Sequence, residues 1–290
     1  MDVRVVATAR GRVEAAVLGS GPPVLLIHGM PGSWRQAVTL GEDLAAQHTV
    51  VLPSRPGYGR TPIRSGRSAV DQAALYAALL DALGLSTPAD IVGISGGGPS
   101  AVAFAQSHPD RAASLTLMCA LADHLMPVPP VMRVGVRVTP LALALTARER
   151  RQRRAVLTDD AKIDDYIAKE LTADELRRAS DDPAIREDLI TFVRSHTDAP
   201  LVVAGFANDV AQLHRGRRRG PQPVDRISAP TLVLHGDADT IVGLPHAQHH
   251  ASAIPGAELH VFAGAGHVFL ITRKAEATAM LRAHMHASAS

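Results

Sequence analysis

Gly93-Ile94-Ser95-Gly96-Gly97 is the stretch on which the reading of this chain turns. The apolar run Ala89-Asp90-Ile91-Val92 leads into it, and Pro99-Ser100-Ala101-Val102-Ala103-Phe104 leads out. A buried strand, a sharp turn and a helix are expected, with a serine at the apex. Glycines suit such a turn, because a Cβ obstructs the backbone angles required and keeps strand and helix apart. The serine is left exposed, and its neighbouring amides lie at a helix N-terminus, where negative charge is favoured. A G-x-S-x-G between strand and helix is the pattern of a nucleophile elbow. Five positions with three small residues recur by chance, so the surrounding chain must supply the partners.

Working outward, the runs 3–8 and 12–18 read as a hairpin around Ala9-Arg10-Gly11. Val24-Leu25-Leu26-Ile27 is a continuous apolar run, as in a strand buried on both faces. The loop His28-Gly29-Met30-Pro31-Gly32 follows it. Residues 38–47 are helical in pattern and 49–52 form another buried strand. A loop over 53–62 then carries Arg55-Pro56-Gly57-Tyr58-Gly59, for which a structural role is expected. Residues 68–83 have apolar side chains at helical spacing, with Ser68 as cap and Gly84 as stop. Residues 113–118 are one more strand. Strands alternating with helices predict an α/β fold, a mostly parallel central sheet flanked by helices.

From Leu121 to about Asp225 the rhythm changes. Prolines open the segment, Gly220-Pro221-Gln222-Pro223 closes it, and the patterns between are helical only: 140–155, 159–169, 172–179, 183–196 and 200–213. A helical cap inserted at 121–225 into a core made of 1–120 and 226–290 is the expected organisation. Strand rhythm resumes at Thr231-Leu232-Val233-Leu234-His235. A helix at 245–253, a strand at 258–261 and a last helix at 273–286 complete the core.

Composition narrows the function classes. A formal charge of +2 over 290 residues gives no basis for nucleic-acid binding. The cap's basic runs, 148–154 and 215–219, stand among 17 Lys and Arg against 16 Asp and Glu between 121 and 225. A solvated helix face and an exposed loop account for them, with an anion-attracting cap mouth as the alternative. The aromatic content of 3% leaves the core to Ala, Val and Leu. The single cysteine, Cys119, permits no internal disulfide and reads as a small buried apolar residue. No signal core or membrane span is recognisable, since Arg10 and Arg12 interrupt the N-terminus and Arg133, Arg137 and Pro140 the later apolar stretch. A cytoplasmic protein acting on a small molecule, with no cofactor, metal, membrane or nucleic-acid partner, is expected; the oligomeric state is not legible.

A serine hydroxyl is a poor nucleophile without a base to take its proton and an acid to orient that base. In this topology they follow in the order Ser, Asp or Glu, His, in loops after later strands. Gly236-Asp237-Ala238-Asp239-Thr240-Ile241-Val242 follows one such strand, and Ala263-Gly264-Ala265-Gly266-His267 follows the last. Here the sequence closely resembles the α/β-hydrolase fold superfamily, over nearly all of 20–120 and 228–285 and much more weakly over the cap. The resemblance implies Ser95 as nucleophile, Asp239 as orienting acid and His267 as base. Asp237 or Asp123 could serve as the acid instead, and His28, His124, His235 and His260 also lie near strand ends. The developing oxyanion needs two N–H donors. The amide of Gly96 is one, and the family's His-Gly-x-Pro loop implies Met30 as the other.

With serine at the elbow, the chain departs from the epoxide hydrolases and haloalkane dehalogenases of this fold, which use an aspartate there. The expected activity is hydrolysis of a small, fairly apolar carboxylic ester through an acyl-enzyme, with Trp34 and Phe269 lining the substrate pocket. A proline-iminopeptidase-like activity, lactone opening, C–C bond hydrolysis and a non-catalytic ligand-binding role are the alternatives. His-Gly-x-Pro-Gly followed by Ser33-Trp34 is similar to the proline iminopeptidases, from which Met30 departs.

Overall fold

The apolar run before the serine turn is a central strand of an eight-stranded sheet. The computed structural model describes residues 1–129, 168, 171–197, 203–221 and 223–288. Among them the strands are β1 (Asp2–Thr8), β2 (Gly11–Leu18), β3 (Pro23–Ile27), β4 (Thr49–Pro53), β5 (Ala89–Ile94), β6 (Ala112–Met118), β7 (Thr231–Gly236) and β8 (Glu258–Phe262). Their spatial order is β1-β2-β4-β3-β5-β6-β7-β8. The hairpin β1–β2 and the pair β2–β4 are antiparallel, and every pair from β4–β3 to β7–β8 is parallel. This is the expected α/β arrangement, with an antiparallel ribbon added at one edge.

Side chains alternate across β3 and β5 and both faces are covered, which explains why β3 is apolar without interruption and β5 apolar but for Asp90. Leu25, Ile27 and Ile91 enter one buried cluster with α2 (Ala69–Ala82) and α3 (Gly98–Ser107). Val24, Leu26 and Val92 enter the other, with α1 (Val38–Leu44) and the C-terminal helix. The start of α2 is as read: Ser68 and Asp71 form a reciprocal capping box. The first helix is shorter than expected. Ser33 caps a single turn at Trp34–Ala37, and the α-helix proper ends at Leu44.

Between β6 and β7 the described regular structure is helical: α4 (Ala173–Asp181), α5 (Pro183–Thr197) and α6 (Val203–Arg219). The first two lie where the sequence placed them. The third continues past the expected end at 213, so the basic run 215–219 is its last turn and not a loop. Cations there complement the carbonyl end of a helix. The expected helices 140–155 and 159–169 lie almost wholly outside the described residues. After β7 come α7 (Pro245–Ala253), α8 (Phe269–Thr272) and α9 (Lys274–Ser288). No described helix is long and apolar enough to cross a membrane.

Candidate active site

Ser95 stands where β5 ends, at the start of a single helical turn that runs into α3. Its φ is +48°. For a residue with a Cβ, such a conformation costs on the order of 1–3 kcal/mol and persists only where the surroundings enforce it. From the sequence, this conformation is expected on the glycines. The structure places it on the serine, and the glycines supply room instead. A Cβ on Gly93 would lie 2.6 Å from the Ala101 Cβ, so strand and helix could not approach as they do. The turn is tied from the other side by Leu121, whose N–H donates to the Ser95 carbonyl at 3.0 Å.

The loops after β7 and β8 converge on this serine. His267 Nε2 lies 3.1 Å from Ser95 Oγ, and His267 Nδ1 lies 2.7 Å from Asp239 Oδ2. Because a carboxylate only accepts, Nδ1 carries the proton and Nε2 is free to accept from the serine hydroxyl. The other oxygen of Asp239 accepts from the backbone N–H groups of Ile241 and Val242, at 2.9 and 2.8 Å. His235, fully buried, donates from Nε2 to the Val242 carbonyl at 2.7 Å and so braces the same turn. Burial holds the His235 pKa below the ordinary histidine value, which keeps the ring neutral.

The alternative residues go elsewhere. Asp237 accepts from the Gly264 N–H at 2.7 Å and Asp123 pairs with Arg219 at 2.8 Å. His28 bonds to the Gly29 carbonyl and the Arg55 N–H, His124 stacks edge-on with His249, and His260 packs on Phe262. Cys119 is fully buried, as expected. Burial, reinforced by nearby Asp239, pushes its thiol well above the ordinary range. Among the described residues, no group of three or more His, Cys, Asp and Glu is placed to hold a metal ion.

Met30 and Gly96 face one another beside the serine. A Cβ on Gly96 would be 3.1 Å from the Met30 nitrogen, and one on Gly29 would be 3.0 Å from the Ser95 Cβ. Met30 and Gly96 both line a cleft that is open to solvent. Its walls mix apolar Pro99, Leu121 and Leu213 with polar Arg55, Gln72 and Asp209. Trp34 and Phe269 do not line it, which corrects the expectation. Phe269 is fully buried, stacked on Phe262 with ring centres 4.8 Å apart. Trp34 packs in the same apolar cluster under the sheet. Each follows an apolar pattern that serves the core, which the sequence alone does not separate from a pocket wall.

Sequence reasoning missed a buried polar cluster at the cleft. Arg55 Nη2 donates to Asp209 Oδ1 and the Tyr58 hydroxyl to Asp209 Oδ2, both at 2.6 Å. Burial alone would lower the Arg55 pKa, but Asp209 and the Tyr58 and Tyr76 phenols overcome it and hold the guanidinium above its ordinary value. Burial pushes the Asp209 carboxyl up from the usual range, and Arg55 and Tyr58 offset only part of that. A second buried carboxylate, Glu175 of α4, sits against the loop of His267. It accepts from the Thr272 hydroxyl and the Thr172 N–H at 3.0 Å each. The Thr172 hydroxyl in turn donates to the Gly264 carbonyl at 2.8 Å.

Residues 22–274 match the family described as alpha/beta hydrolase fold. This chain belongs to the α/β-hydrolase fold family. It is 32% identical over 259 residues to the "2-hydroxy-6-oxononadienedioate/2-hydroxy-6-oxononatrienedioate hydrolase 2" of Pseudomonas putida, covering 86% of this chain and 83% of that protein. Among solved structures it is similar to an alpha/beta hydrolase fold protein from Nakamurella multipartita. That likeness has 31% identity and a TM-score of 0.76, over 97% of this chain and 99% of the other. A thermophilic esterase from Thermogutta terrifontis shares the fold, with a TM-score of 0.72 at 24% identity over the whole of both chains. This member of the α/β-hydrolase family is a hydrolase.

Proposed function

We propose that the chain is a serine hydrolase that cleaves a small carboxylic ester through an acyl-enzyme, beneath a helical cap formed by residues 121–225. The continuous hydrogen-bonded line Ser95–His267–Asp239, with spacings of 3.1 and 2.7 Å, carries this reading. His267 takes the proton of Ser95 Oγ as the oxygen attacks the ester carbonyl carbon. The carbonyl oxygen becomes an oxyanion that the Met30 and Gly96 N–H groups stabilise. Asp239 steadies the imidazolium. The proton passes from His267 to the departing alkoxide, and the acyl group remains on Ser95. Water then attacks that ester, with His267 again as base, and the carboxylic acid leaves.

A fluorophosphonate probe tests the nucleophile: labelling is expected on Ser95 and absent from Ser95→Ala, which also loses p-nitrophenyl butyrate turnover. Labelling elsewhere, or turnover retained in the variant, would falsify the assignment.

A second reading, C–C bond hydrolysis, is favoured by the relatives described as 2-hydroxy-6-oxo acid hydrolases. The same serine would attack a ketone, and the leaving group would be a carbon stabilised as an enol. Measuring kcat/KM for p-nitrophenyl butyrate against a 2-hydroxy-6-oxodienoate separates the two.

A further inference from the structure

The peptide joining Gly29 to Met30 links the inserted helices to the chemistry. A trans peptide is planar, with its carbonyl oxygen and its N–H pointing in opposite directions. Whatever holds the Gly29 oxygen therefore aims the Met30 N–H. Two donors hold it: Arg55 Nη1 at 3.3 Å and His28 Nδ1 at 2.7 Å. The tautomer of His28 is set by the same residue, since His28 Nε2 accepts from the Arg55 backbone N–H at 2.9 Å. Arg55 thus grips the loop at both its backbone and its guanidinium. On the far side of that guanidinium is Asp209, which belongs to α6 of the insertion.

The insertion is seated closely at this point. The Gly205 N–H donates to the Gly57 carbonyl at 3.1 Å, and a Cβ on Gly205 would strike the Tyr58 ring at 2.5 Å. With Arg55 and Asp209 both about 95% buried, water does not compete for their contact.

We propose that Asp209 is a positioning residue for the oxyanion hole: it fixes the Arg55 fork against the Gly29 carbonyl and thereby orients the Met30 N–H. The proposal rests on the serine-hydrolase reading. Seating of α6 then sets the alignment of the catalytic loop, and an insertion displaced from its seat leaves Ser95 and His267 in place but the oxyanion poorly bound.

Fluorophosphonate labelling reads this without knowledge of the substrate, because the phosphoryl oxygen occupies the oxyanion position as Ser95 attacks. Removing one oxyanion donor outright costs about 10²–10³-fold, so misalignment in Asp209→Asn is expected to slow Ser95 labelling by about 10- to 100-fold. Hydrolysis of p-nitrophenyl butyrate should lose kcat by the same factor with KM within about twofold, since ground-state binding needs no oxyanion contact. Asn208→Ala is the control on the same helix. It loses a hydrogen bond to the Arg67 carbonyl without touching Arg55, and its labelling rate should match the wild type. Where Asp209→Asn is folded by circular dichroism yet labelled at the wild-type rate, the proposal is overturned. Equal slowing in Asn208→Ala also overturns it, because general loosening of α6 would then be the cause. If wild-type protein is not labelled at Ser95, the serine-hydrolase reading fails first and takes this one with it.

Discussion

Asp239, after β7, and Asp209, in α6, are equally hidden, each 5% exposed, and they are held in opposite ways. Asp239 is held by its own loop, through backbone N–H groups two and three residues ahead. Asp209 is held by side chains 154 and 151 residues back in the sequence. The first arrangement is local and comes with the turn that β7 must make. The second exists only once α6 has packed against the loop after β4. A site aspartate of the first kind keeps its geometry if α6 moves, whereas one of the second kind reports whether it has.

The largest expected effect tests the local side of that contrast. Asp239→Asn keeps an oxygen for the two backbone N–H groups but presents an amide to His267, favouring the wrong tautomer. By the behaviour of such triads kcat should fall about 10⁴-fold, with the thermal midpoint little changed. A loss under tenfold in steady-state kinetics would break the assignment.

Asp209→Ala addresses the distant side and should cost stability in addition to the slowing expected when the Arg55 fork is released. It leaves the Arg55 charge buried and unpaired, a loss of about 3–5 kcal/mol, which calorimetry would read as a midpoint lower by roughly 10 °C. Replacing Arg55 by Met as well should return part of that stability, since it removes the stranded charge. A double variant no better than the single would mean that the two groups are not coupled.

Acid sharpens the comparison through two buried histidines of α7. Burial, and for His250 the neighbouring His249, lowers His246 to about 4 and His250 to about 3. Both lie below the ordinary value of about 6.5, so the unfolded chain takes up protons first as pH falls. Their contribution is complete above that value and is lost between it and pH 3. Melting at pH 7 and 4.5 should differ by about 5 °C or more, and by less in His250→Asn. The smallest effect belongs to Thr172→Ala, which removes the cap of α4 and the bond to Gly264. About 1 kcal/mol should be lost, measurable by urea titration.

The same contrast explains what could be read from the sequence. β3 is apolar throughout and β5 apolar but for Asp90, because both faces are covered; the run read for β3 starts one residue late and that for β5 stops two residues early. Ser95, Asp239 and His267 sit in short glycine-framed turns at strand ends, so type and spacing are visible in a few consecutive residues, and these three do meet in space. Asp209 offers no such signal. One aspartate among the 16 acidic residues between 121 and 225 looks like any solvated helix position until its partners are brought beside it. Arg55, in a loop read as structural, faces the cleft for the same reason. Phe269 and Trp34 failed in the other direction, because an aromatic beside the site loops looks alike whether it faces a substrate or the core.

The hydrogen bond from Leu121 to the Ser95 carbonyl has a consequence for anyone recombining this protein with a relative. Leu121, just after β6, is thus also a guy-rope of the strained turn. A chimera joined after Ala122 inherits that tether from the host and can accept foreign helices without disturbing the serine. One joined at Cys119 imports the tether from the donor, and the turn then depends on how well two unrelated backbones agree.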